Sequence, residues 1–168
     1  MKWFALFVAL GLVACESAHP RQGASTAASS EATRDVTAAE SLDRLDQRAV
    51  LPLVPMMAAH QKENMRDHLV AVQEIVAATA NRDFDRVARA AQRIGYSENM
   101  GRMCEHMGAL APGFTELALT FHHTADGITE GAKHADEQAV LRSLGDTLAQ
   151  CAKCHATYKQ KLIDKLPN

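Results

Sequence analysis

The sequence predicts an all-helical domain, an antiparallel four-helix bundle, on three observations. Ala, Leu, Met, Glu, Gln and Arg are plentiful, aromatic residues make up only 5% of the 168, and no Val/Ile-rich segment alternates as a strand would. Apolar residues recur mostly three, four or seven apart, the spacing of one helix face. The breaks between these stripes are short and marked by capping residues, Gly or Pro, which suits antiparallel neighbours in a domain of about 125 residues.

The first element is not part of that domain. The chain opens MKWFALFVALGLVAC, with one cation at Lys2 and an unbroken apolar run from Trp3 to Val13. Such a run is too short to span a bilayer and reads as the apolar region of an export signal over residues 1–14. It ends Leu12-Val13-Ala14-Cys15, which resembles the bacterial lipobox, whose cysteine is acylated and becomes the new N-terminus. Residues 15–40 are rich in Ala, Ser and Thr with no apolar period. They cannot bury enough surface to offset their ordering entropy, so a flexible tether is expected. About 25 residues of such coil reach roughly 25–30 Å. The expectation is a periplasmic chain, lipid-anchored to a bacterial membrane at Cys15, with its folded domain at 41–168.

Within the domain, a first helix is expected to begin after Ser41, to be interrupted around Pro52 and Pro55, and to run to about Thr79. Met57, Met65, Leu69, Val72 and Val76 form its inner stripe. Asn81 and Asp83 offer caps for a second helix carrying Phe84, Val87, Ala91 and Ile94, stopped at Gly95. A short helical piece at 100–107 follows. Pro112 precedes a third helix with Phe114, Leu117, Phe121, Ala125 and Ile128. Asp136 and Glu137 open a fourth, reaching into 161–165.

The net charge of -2, with no basic stripe carrying interleaved aromatics, excludes nucleic acid as a partner. The informative motif is Cys151-Ala152-Lys153-Cys154-His155. On the fourth helix the stripe runs Leu141, Leu144, Leu148, Cys151, His155, Tyr158, Leu162, placing His155 on the seam with three leucines and Cys154 at its flank. Three chemistries compete for it. A redox dithiol is activated at a helix N-terminus beside a strand, whereas this pair lies in the last third of a long helix. Structural zinc takes four Cys or His ligands, but there is no second CxxC: Cys15 is assigned to lipid and Cys104 stands alone. Covalent haem needs two thiols three apart for the two vinyl groups and an imidazole directly after for the iron, which C-x-x-C-H supplies. One covalent haem c is therefore expected at Cys151 and Cys154, with His155 as metal ligand.

A single CxxCH on the last helix of an exported all-helical domain resembles the class II cytochromes c, whose best-known members are the cytochromes c′. The resemblance covers roughly residues 50–161. It implies a four-helix bundle with haem attached to the fourth helix and its distal face under the first. In that family the sixth iron position is either filled by a methionine from the first helix or left open to small gases. The first case implies Met65 as ligand and an electron carrier, not an enzyme, serving periplasmic or membrane redox proteins. The second implies a high-spin protein binding NO or CO. Met57, His60 and His68 are the other candidates near that position, the two histidines expected to be solvated. Phe121 and Tyr158 are expected to pack around the macrocycle. A homodimer is compatible with the resemblance.

Gln61 departs from the family, which often has Arg there to meet a haem propionate; Lys62 or Arg66 could take that place, but both are expected on the solvated face. Lys153, Lys159, Lys161 and Lys165 are expected to complement a helix C-terminus or to form a docking rim for an acidic partner. Cys104 reads as either a buried inert thiol or an intermolecular disulfide. His106, His122, His123 and His134 share no metal-ligand spacing and read as surface residues.

Overall fold

The computed structural model describes residue 38 and residues 40–166. The export signal, Cys15 and most of the tether lie outside the described residues. The chain divides into two compact units, Met1–Asp46 and Gln47–Asn168. In the first, residues 40–45 are helical, with Arg44 bonded back to the Glu40 carbonyl at 3.3 Å.

The second unit is mostly helical. Pro52 and Pro55 do more than interrupt a helix. Each forces the residue before it to be extended, and Ala49–Leu53 forms a strand, β1, with Leu51 and Leu53 turned inward. Pro55 then occupies the first position of helix α1, Pro55–Ala80, where its missing N–H is harmless. Asp83 caps α2, Phe84–Gln92, by accepting from the Arg86 N–H at 3.0 Å, and Ser97 caps α3, Glu98–Gly108, through the Met100 N–H. Gly113, at a φ of 79° that only glycine adopts readily, turns the chain into α4, Phe114–Lys133. Asp136 caps α5, Glu137–Thr157.

The mostly helical structure is consistent with the all-helical expectation, but the expected reach of the last helix into 161–165 needs a correction. The last helix stops at Thr157, and Tyr158–Leu162 forms a second strand, β2, instead of continuing the helix. It pairs in parallel with β1, Ala49 against Tyr158 through Leu53 against Leu162. Neither strand has the length or alternation that marks one in a sequence; the pairing comes from tertiary proximity. It also takes Lys159 and Lys161 off the helix. No helix among the described residues is long and apolar enough to cross a membrane.

Two apolar clusters hold the unit together. The larger takes residues from α1, α2, α4 and α5, including Ala71, Ile75, Val87, Phe121, Ile128 and Val140. The smaller joins Leu51 and Leu53 of β1 to Met57, Ala58, Met107 and Phe114.

The inner stripe of α1 is not the one the sequence suggested. Ala71, Ile75 and Ala78 face the core, because alanines let the helices approach closely, while Leu69 is 69% and Val76 51% exposed. Ile75→Ala should cost about 2–5 kcal/mol and Leu69→Ala no more than about 0.5 kcal/mol, as read by denaturant unfolding. Equal losses would contradict this assignment.

Candidate functional site

The CAKCH segment occupies the last two turns of α5, anchored from both sides. Arg48, just before β1, donates to the carbonyls of His155 at 3.0 Å and Tyr158 at 3.3 Å, satisfying groups that a helix end leaves open. Beyond the helix, the Tyr158 hydroxyl donates to the Pro112 carbonyl at 2.6 Å, and its ring meets Phe114 edge-on at 5.4 Å.

The seam read along this helix splits in two. Leu144, Cys151 and Tyr158 turn inward, while Leu141, Leu148, Leu162 and His155 are exposed. The buried face is shifted by one residue, because Val140 and Thr147 are both fully buried. Thr147 can be buried because its hydroxyl donates to the Ser143 carbonyl at 2.7 Å. His155 is therefore an accessible imidazole, not one sealed in a core.

Cys151 and Cys154 are half-buried free thiols, one helical turn apart. Cys151 packs against the larger cluster and Cys154 against the smaller. Burial raises the pKa of both, and for Cys154 the neighbouring Cys151 adds to it. An activated dithiol is the opposite case, a thiolate stabilised by nearby positive charge. No group of three or more His, Cys, Asp or Glu among the described residues is placed to hold a metal ion, which leaves a zinc site without its ligands.

A covalent haem fits what is there. On α5, Leu141, Gly145, Leu148, Ala152 and His155 follow one another at steps of four and three and are all exposed. Leu141 and Leu148 are 50% and 44% exposed, and a Cβ built on Gly145 would meet nothing within 4 Å. A second uncovered stripe on α1 runs Met65, Leu69, Val72, Val76, with only Val72 partly covered. Exposed apolar rows of this kind leave room for a bound group. Compared with known protein families, curated proteins and solved structures, the chain has no match.

The remaining candidates fall as follows. Met65 is 40% exposed, on the uncovered stripe and not in the core. Gln61 pairs with the Gln160 side chain. Lys62 and Arg66 are exposed, as are His123 and His134. His60 is exposed, its Nε2 3.1 Å from the Met103 sulfur. Phe121 is buried as expected, but its ring stacks on His68 at 4.9 Å. Cys104 is buried, its pKa pushed up to about 11 by desolvation, so it is held as a neutral thiol.

Two histidines contradict the surface reading. His122 is 3% exposed, with Nδ1 2.8 Å from the Ile94 carbonyl, and burial lowers its pKa. His68, half-buried with its ring 5.6 Å from that of His122, has its pKa lowered to about 4, first by desolvation and then by His122, against a small opposing effect of Asp67. A lone His among apolar residues gives no sequence signal that it is buried. The unfolded chain takes up these protons near 6.5 and the folded chain only at lower pH, so stability should fall as pH drops from 6.5 towards 4. Denaturant midpoints across that range should decline, and less steeply in His68→Gln. A wild-type profile flat over the range would refute this.

Proposed function

We propose that this chain is a monohaem c-type cytochrome that carries single electrons, built as a four-helix bundle and lipid-anchored in a bacterial periplasm through Cys15. Haem would be bound by thioethers to Cys151 and Cys154, with His155 and Met65 as the residues that would ligate its iron. The observation that carries the reading is the CAKCH helix itself: two free thiols one turn apart, and an accessible imidazole that continues an uncovered apolar stripe. The common core of α1, α2, α4 and α5 supports the bundle. The exposed thioether of Met65, on the uncovered stripe of α1, supports its choice as ligand.

Bound haem would supply a one-electron iron centre. The chain's own part is to hold that centre between fixed ligands and to keep water from its faces with Leu141, Leu148, Leu69 and Val76. A neutral thioether opposite the imidazole favours ferrous iron and raises the potential. Produced in a bacterium that attaches haem to exported proteins, the chain should enter the detergent phase and give a haem-stained band after denaturing electrophoresis. A haem-free band would sink the cytochrome reading, and a haem-stained band left wholly in the aqueous phase would sink the anchor alone.

A further inference from the structure

Besides CAKCH, one end of α1 and the last turns of α3 bring together an unusual set of donors. A cavity of about 160 Å³ is lined by Met57, His106 and Met107, with Pro52, Ala109 and Leu110 completing most of its wall. Met57 and Met107 are 8% and 7% exposed and belong to the same apolar cluster. His106 is exposed and has no hydrogen-bond or ion-pair partner among the described residues. One turn along, the pattern recurs: the His60 imidazole lies 3.1 Å from the Met103 sulfur, and Met103 packs against the same cluster. Thioether sulfur and imidazole nitrogen donors thus line a pocket that contains no carboxylate, thiol, Lys or Arg side chain.

We propose that this cavity binds a monovalent copper ion through the thioethers of Met57 and Met107 and the imidazole of His106. The donor set decides the metal. Thioethers are soft and select Cu(I), whereas Mg, Ca and Mn favour oxygen ligands, and structural zinc is held mainly by thiolate and imidazole. Three neutral ligands leave a single positive charge, the smallest a metal ion can bring into an apolar pocket. His106 and Met107 also lie in the last turn of α3, where the carbonyl end of the helix favours a cation. None of its donors belongs to CAKCH or to the uncovered stripes, although Cys154 packs against the cluster that holds Met57 and Met107 and Met57 is one of the alternatives named for the sixth iron position.

The test uses the full chain, its accessible thiols blocked by alkylation and its methionine methyls labelled with carbon-13. One equivalent of silver(I), a redox-inert substitute for Cu(I), should shift the methyl signals of Met57 and Met107 and leave that of Met65 in place. Met57→Leu with Met107→Leu keeps the core volume and should weaken Cu(I) binding, in competition with a colorimetric chelator, by at least about 10–100-fold. His106→Gln, at an exposed position, should also weaken it. The proposal is overturned if the two methyl signals stay in place or if the double variant binds as tightly as wild type. Binding that is lost only in Cys104→Ala would overturn it too, by assigning the ion to the buried thiol.

Discussion

On the proposed cytochrome reading, a chain carrying Cys151→Ala together with Cys154→Ala should attach no haem, leaving no haem-stained band where wild type should give one. The two thiols lie one turn apart on one side of α5, so each can meet a different vinyl group of the same macrocycle. Either single variant should keep one thioether and a weaker band. Both side chains are only half-buried, so the double variant should retain the helical circular dichroism of the wild-type chain. A double variant that still holds haem through denaturation would remove CAKCH from the reading.

Met65→Ala should change the iron more than the fold. With His155 and Met65 both bound, the wild-type iron should be six-coordinate and low-spin. The oxidised protein should then show the weak near-infrared sulfur-to-iron charge-transfer band. The variant should lose that band, lower the reduction potential and open a position for carbon monoxide. Because Met65 is 40% exposed in the cofactor-free chain, stability of that form should change by no more than about 0.5 kcal/mol. A wild-type protein that is high-spin and takes up carbon monoxide would favour the gas-binding alternative instead. A low-spin spectrum that survives Met65→Ala would move the ligand elsewhere. His68, one turn on and neutral in the folded chain, would be the next substitution.

The helix ends were the most legible part of the sequence, because they depend on local chemistry. Asp83 and Asp136 each accept from the N–H three residues on, as capping residues do. The faces of α1 and α5 were less legible. Their apolar residues span a wider arc than the core covers, and what selects the buried part is packing against neighbouring helices: alanines permit close approach in α1, and in α5 Thr147 tolerates burial because its hydroxyl is satisfied by the Ser143 carbonyl. The strand pair could not be seen at all, since neither AVLPL nor YKQKL specifies a partner more than one hundred residues away. At the site, the haem expectation rests on the five residues of CAKCH. The exposure of His155 and the pairing of His68 with His122 depended on packing.

The β1–β2 ladder has a kinetic consequence. It joins Ala49 to Tyr158 and Leu53 to Leu162, contacts between nearly opposite ends of the folded unit, so the largest loop-closure entropy falls on this step. In a chain that emerges N-terminus first, β1 must wait, unpaired, until Tyr158–Leu162 appears. Until then the final turns of α5 lack Arg48 across their carbonyls and the β1 leucines of the cluster that Cys154 packs against. Thioether formation at Cys151 and Cys154 would therefore have its widest opportunity before the ladder closes. A substitution that weakens the ladder, such as Leu53→Ala, should slow closure and lengthen that interval.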